Sequence, residues 1–139
     1  MAEHVTLELV NTFNTLLSAL RYALKKALKA KGNQLSPPDI KTLAALAANP
    51  GMSLQQLVAF SGKDKAQVTR KIKDLENKQF LYKQKHPTDQ RSLQLFLTPE
   101  GKRTKDKAEA IRAKVYQQFF SCLNRQEQSE LIDLMKKCL

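Results

Sequence analysis

The chain has 139 residues, 42% of them hydrophobic, and carries a net charge of +11. No apolar run reaches the ~18 residues that a transmembrane helix needs, and the apolar content is too high for wholesale disorder. With no tryptophan and only four glycines, a turn-rich all-β sandwich is excluded as well.

Leu9, Phe13, Leu16, Leu20, Leu24 and Ala27 recur at spacings of three and four, widened by Val10, Leu17 and Leu28. This predicts a long amphipathic helix from about Val5 to Lys29, stopped near Gly32-Asn33. Its wide apolar face is expected to bury against more than one neighbour. The first 30 residues also carry Glu3, Glu8, Arg21 and Lys25 among their apolar positions, which is not the pattern of a signal peptide.

Ser36-Pro37-Pro38-Asp39 reads as a helix start, with Ile40, Leu43, Leu46 and Ala47 inward and a stop at Asn49-Pro50-Gly51. Ser53-Leu54-Gln55-Gln56 is a second capping box, opening a short helix that ends at Ser61-Gly62. Asp64 opens a third helix, whose apolar positions Val68, Ile72 and Leu75 form a narrow stripe. Lys65, Gln67, Thr69, Arg70 and Lys73 are left for its other sides.

Leu81–Lys85 and Leu93–Thr98 look extended and flank the polar loop His86-Pro87-Thr88-Asp89-Gln90-Arg91, which predicts a β-hairpin. Thr98-Pro99-Glu100 restarts a helix running to about Ser121. Asn124 caps a last helix with Leu131, Leu134, Met135 and Cys138 in its apolar row.

Positive charge is concentrated in the middle of this order. Residues 63–105 hold 12 basic and 5 acidic side chains, net +7, against +3 before and +1 after. Such an excess favours a polyanionic partner, nucleic acid ahead of an anionic membrane surface. A short helix, a turn at Gly62 and a second helix form a helix-turn-helix, and a basic hairpin follows at once. The second helix presents Lys, Gln, Thr and Arg, which donate to phosphates and base edges. The reading is a mainly α (α+β) winged helix-turn-helix over residues 36–105. Helices from residues 1–35 and 106–139 carry more apolar surface than a monomer of this size easily hides and are expected to form a dimerisation region, with a tight monomeric bundle as the alternative.

These residues resemble the MarR family of bacterial transcriptional regulators. Asp89-Gln90-Arg91-Ser92 is similar to the family's wing motif. Leu97-Thr98-Pro99-Glu100-Gly101 is similar to the start of the helix behind the wing, and Val68-Thr69-Arg70 with Leu75-Glu76 to the recognition helix. The family commonly has a glycine just after that helix. Here the stretch is Asn77-Lys78-Gln79-Phe80, and Asn77 is the best candidate for a left-handed cap. Lys83 stands on the first wing strand where arginine is frequent.

The resemblance implies a homodimer that binds a pseudo-palindromic operator in double-stranded DNA, as a repressor or activator. Expected DNA-binding residues are Lys63, Lys65, Gln67, Thr69, Arg70, Lys73, Lys83, Asp89 and Arg91. Arg91 would enter the minor groove, where a narrow groove concentrates negative potential. Asp89 is expected to hold the Arg91 guanidinium by a bidentate pair, and Arg70 has Asp74 as an alternative partner. Many relatives release DNA when a small phenolic or anionic ligand binds, and Phe13, Tyr22 and Tyr116 are candidates for lining such a cleft. A competing reading is a winged-helix interaction module whose basic surface binds RNA or an acidic protein.

His4 and His86 are too isolated for a metal site, no cofactor is called for, and no catalytic set suggests an enzyme. Cys122 and Cys138 predict a reducing, cytoplasmic setting and small apolar side chains in a dimer core. About 13 helical residues, ~20 Å, separate them, too far for a bridge within one chain.

Overall fold

The computed structural model describes residues 1–139. Its elements are α1 (Ala2–Ala30), α2 (Pro37–Ala48), β1 (Met52–Ser53), α3 (Leu54–Ser61), α4 (Lys65–Asn77), β2 (Leu81–Lys85), β3 (Leu93–Leu97), α5 (Pro99–Phe119) and α6 (Arg125–Lys136). No helix is long and apolar enough to cross a membrane.

The chain divides into two compact units, one of residues 28–110 and one of residues 1–27 with 111–139. The first is built on local caps. Ser36 Oγ accepts from the Asp39 amide while the Asp39 carboxylate accepts from the Ser36 amide at 2.8 Å. Ser53 and Gln56 repeat this reciprocal pair at the start of α3. Asp64 caps α4 by accepting from the Gln67 amide at 2.8 Å. Each pair satisfies amides that the first helical turn leaves without partners. Gly62 ends α3 in the left-handed region at φ 67°, which glycine adopts without a Cβ penalty and which turns the chain sharply into α4.

The core of this unit gathers Ile40, Leu43 and Leu46 of α2, Leu57 of α3, and Val68, Ile72 and Leu75 of α4. Leu28, Leu35, Ala45, Phe80, Leu81, Leu95 and Ala108 complete it. The sheet is antiparallel in the order β1-β3-β2. Leu81 pairs with Leu97 and Lys85 with Leu93, so Leu95 faces the core while Tyr82 stacks on Phe96 on the opposite face, ring centroids 5.5 Å apart. The hairpin is the expected one. The third strand is new: Met52 and Ser53 pair with Leu95 and Gln94.

The left-handed residue after α4 is Gln79, at φ 65°, and not Asn77, which is the last residue of the helix. The cause is a Schellman closure. The Phe80 amide reaches back to the Leu75 carbonyl at 3.0 Å and the Gln79 amide to Glu76 at 2.9 Å. Phe80 and Leu75 are both buried, supplying the apolar contact that accompanies this motif. Thr98 clamps the same turn: its hydroxyl donates to the Gln79 carbonyl at 2.6 Å and accepts from the Gly101 amide at 2.9 Å.

In the other unit, Gln128 of α6 donates to the carbonyls of Phe120 and Leu123, both at 3.1 Å, and closes the turn between α5 and α6. Phe119 and Phe120 meet edge to face. Leu24 is buried, but Val5, Leu7, Leu9, Val10 and Phe13 of α1 and Ile132, Leu134 and Met135 of α6 are exposed. Cys122 and Cys138 are free thiols and also exposed.

Candidate nucleic-acid interface

Helix α4 buries one stripe, Val68, Ile72 and Leu75. At about 100° per residue, Ala66, Arg70, Lys73 and Asn77 lie on the side opposite that stripe. All four are exposed, together with Lys65, Gln67 and Thr69. Lys63 is exposed in the turn before the helix. The elements therefore gather Lys63, Lys65, Gln67, Thr69, Arg70 and Lys73 on and beside one helix.

Their partners separate them. Arg70 and Lys73 hold no carboxylate, because Asp74 pairs with Lys78 at 3.2 Å instead. The Thr69 hydroxyl donates to the Lys65 carbonyl at 2.7 Å. Its proton is used within the helix, leaving the oxygen lone pairs and a methyl group for a ligand. Lys83 leans onto Glu76 at 3.6 Å, so it is partly neutralised at the root of the wing. Of the twelve cations between residues 63 and 105, five hold a carboxylate and seven do not. The seven are Lys63, Lys65, Arg70, Lys73, Lys85, Arg91 and Lys102.

The wing tip is built differently from the expectation. Asp89 Oδ1 accepts from the backbone amide of Arg91 at 3.0 Å and does not pair with its guanidinium. An Asx turn reaches an amide two residues away without ordering a long side chain, so it wins over the bidentate pair. The guanidinium is thereby left free at an exposed tip. His86, in the polar loop of the hairpin, is not among the residues expected at the site. In the structure the amides of Thr88 and Asp89 both point to its Nδ1 at 3.2 Å, which serves them as acceptor. The signal was available: a histidine two and three residues before those amides in a proline turn.

Two groups have displaced pKa values, both on α5. The hydrogen bond from Arg103, reinforced by its charge, holds the Glu100 carboxyl below its ordinary value. The hydrogen bond to Asp106 raises the Lys105 ammonium above its ordinary value against the opposing effect of burial. Lys105 also contacts Glu109 at 3.5 Å, so it is committed to its own helix.

The three candidates for a ligand cleft are not brought together. Phe13 and Tyr22 are nine residues apart on α1, which places them on opposite faces of the helix. Both are exposed, as is Tyr116 on α5. The structure assembles no candidate metal cluster of His, Cys, Asp and Glu side chains.

Residues 35–93 match the sequence model of the MarR family. A relative in Thauera aromatica, described as a transcriptional regulatory protein for the hcr operon, is 30% identical over 95 residues. That alignment covers 68% of this chain and 57% of the relative, so the chain spans little more than half of that protein's length. An uncharacterized HTH-type transcriptional regulator of Bacillus subtilis, YkoM, is 29% identical, covering 92% of this chain and 84% of YkoM. Among solved structures, a mutant Escherichia coli MarR in complex with operator DNA shares the fold with a TM-score of 0.83. It is 19% identical, with 95% of this chain and 94% of that one covered. The matched segment runs from the capped start of α2 through the exposed face of α4 and the Asp89–Arg91 tip, and over these residues the chain is similar to the MarR family.

Proposed function

We propose that this chain is a sequence-specific double-stranded DNA-binding transcription regulator that acts as a homodimer on a pseudo-palindromic operator. The observation that carries the reading is the exposed face of α4, where Arg70 and Lys73 lie opposite the buried stripe with no carboxylate on either. A helix of this kind fits the major groove, about 12 Å wide, where arginine reads guanine O6 and N7. Arg91, freed by the Asp89 turn, is suited to the minor groove beside it. Lys63, Lys65 and Lys73 serve as phosphate contacts, which set register and contribute salt-dependent affinity.

The uncovered apolar residues at the start of α1 and on α6 support a dimer. Leu7, Leu9 and Leu134 are each 59% exposed or more, an arrangement that a second copy of the chain would relieve. In that assembly residues 1–35 and 106–139 are the dimerisation region and residues 36–105 the reading head. Two-fold symmetry then requires an inverted repeat with half-site centres about 10 base pairs apart. A small phenolic or anionic effector that relieves binding is part of this proposal and rests on family likeness. The test is selection of duplexes from a random pool by the full chain. Enrichment of an inverted repeat is expected, and recovery of unenriched sequence would refute the reading.

A further inference from the structure

Not every cation of the recognition helix faces outward. Lys71 bonds Asp39 at 2.6 Å, and Asp39 is 3% exposed, the one charged residue in the buried core. The carboxylate is divided between two tasks. Oδ2 accepts from the Ser36 amide and holds the α2 cap, while Oδ1 accepts from the Lys71 ammonium 32 residues along the chain. Lys71 therefore connects α4 to the start of α2, and it also lines an open cleft of about 570 Å³ between α2, α3 and α4.

The position of Lys71 around the helix gives the pair its consequence. On a helical wheel Lys71 lies about 60° to one side of Val68, and Glu76 about 80° to the other. Glu76 carries the second inter-element pair, to Lys83 of β2 at 3.6 Å. The buried stripe is thus flanked by a tether on each side. The Asp39 tether is shorter and its carboxylate is buried, whereas the Lys83 tether is longer and its carboxylate about one-third exposed; the two lysines are about equally exposed. Apolar stripes resist separation of a helix from its core but resist rotation weakly, since dispersion contacts have no direction. A hydrogen-bonded ion pair has direction.

We propose that Asp39 and Lys71 are a positioning pair that sets the rotation of α4 about its own axis, and with it the angle at which Arg70 meets a base edge. The inference rests on the DNA-binding reading above and deepens it. Lys71 does not contact DNA. It determines base discrimination, whereas Lys63, Lys65 and Lys73 determine affinity for any duplex.

Three variants of the full chain test this. Lys71→Met keeps the stem and removes the ammonium. Asp39→Asn keeps an oxygen for the Ser36 amide and removes the charge. Lys71→Arg keeps a cation in reach. Each is titrated with the duplex that the wild type selects from a random pool and with a random duplex of equal length. For Lys71→Met and Asp39→Asn, the ratio of the two affinities is expected to fall tenfold or more, with random-duplex affinity changed less than threefold. The double variant is expected to be no worse than either single one, because the two residues act as a unit. Lys71→Arg is expected to retain the ratio within threefold. An unchanged ratio in Lys71→Met, or equal loss on both duplexes with a shallower salt slope, would overturn the proposal and make Lys71 a phosphate contact. Should Asp39→Asn fail to fold, Lys71→Met decides alone, since Lys71 is about one-third exposed and holds no cap. A wild type that enriches no duplex refutes the DNA reading itself, and the positioning role falls with it. Enrichment by the wild type with unchanged ratios refutes only the pair.

Discussion

Gly101, in the first turn of α5, lies against the carbonyl of Phe80 so closely that a Cβ at this position would overlap the oxygen. Glycine in a helix is unfavourable by ~1 kcal/mol relative to alanine. It is required here because the turn closed by Gln79 and Thr98 brings the Phe80 backbone onto the helix start, where the Thr98 amide donates to the Phe80 carbonyl at 3.1 Å. The wing and the helix behind it are joined at this point.

Gly101→Ala is therefore expected to destabilise the protein by more than ~3 kcal/mol, because the obstruction is backbone and not a side chain that turns aside. Chemical denaturation measures it. A loss below ~1 kcal/mol would mean that the strand and helix part easily.

Gln79→Gly is expected to act in the opposite direction. A non-glycine residue in the left-handed region is disfavoured by ~1–2 kcal/mol, and glycine returns part of that to unfolded-state entropy. The expected gain is ~0.5–1 kcal/mol, read as a higher denaturant midpoint with an unchanged slope. The same change at Asn77 lies inside α4 and is expected to destabilise.

Much of this architecture was legible because the signals are local. Ser36, Ser53, Asp64, Thr98 and Asn124 act on amides three residues away, and each marks the start of a helix. The Val68, Ile72 and Leu75 stripe likewise follows from one helical period. What was not legible depends on distant partners. β1 is two residues long and exists only because Leu95 and Gln94 arrive more than 40 positions later. The left-handed residue moved from Asn77 to Gln79 because burial of Phe80 and a bond from Thr98 decide where α4 closes. Asp39 looked like a simple cap, and its second partner, Lys71, is 32 residues away. At the site, the exposed residues of α4 followed from the stripe. The partners of Lys83 and Asp89, which decide how free each charge is, did not.

Arg70→Ala and Arg91→Ala are expected to weaken DNA binding with stability changed by less than ~0.5 kcal/mol, since both side chains are exposed and hold no carboxylate. Loss of a bidentate major-groove contact at Arg70 reduces base discrimination by ~1–3 kcal/mol. Arg91→Ala lowers affinity more than preference. Titration of each variant against the selected duplex and its single-base variants checks the split. Unchanged affinity in both would contradict the assignment of helix and wing.

His86→Ala removes the acceptor on which the Thr88 and Asp89 amides converge. Hydrogen exchange of those two amides is expected to quicken about tenfold, the equivalent of ~1.4 kcal/mol of local opening. Affinity for the selected duplex is expected to fall severalfold because Arg91 stands two residues beyond that turn. Exchange no faster than in the wild type would show that Asp89 alone holds the tip.

The central claim, that an exposed cationic face on α4 and the wing reads duplex DNA, is tested most directly by the salt dependence of binding to a symmetric selected duplex and to one with scrambled half-sites. Seven of the twelve cations between residues 63 and 105 hold no carboxylate. With about 3–5 of them on phosphates in each subunit, a dimer makes ~6–10 contacts, and log affinity falls with log salt at a slope of about −5 to −9. Both duplexes are expected to weaken by ~10³-fold or more between 50 and 200 mM salt, while the symmetric site keeps its excess affinity throughout. A slope shallower than about −2 on the symmetric site, or equal affinity for the two duplexes, would contradict the account.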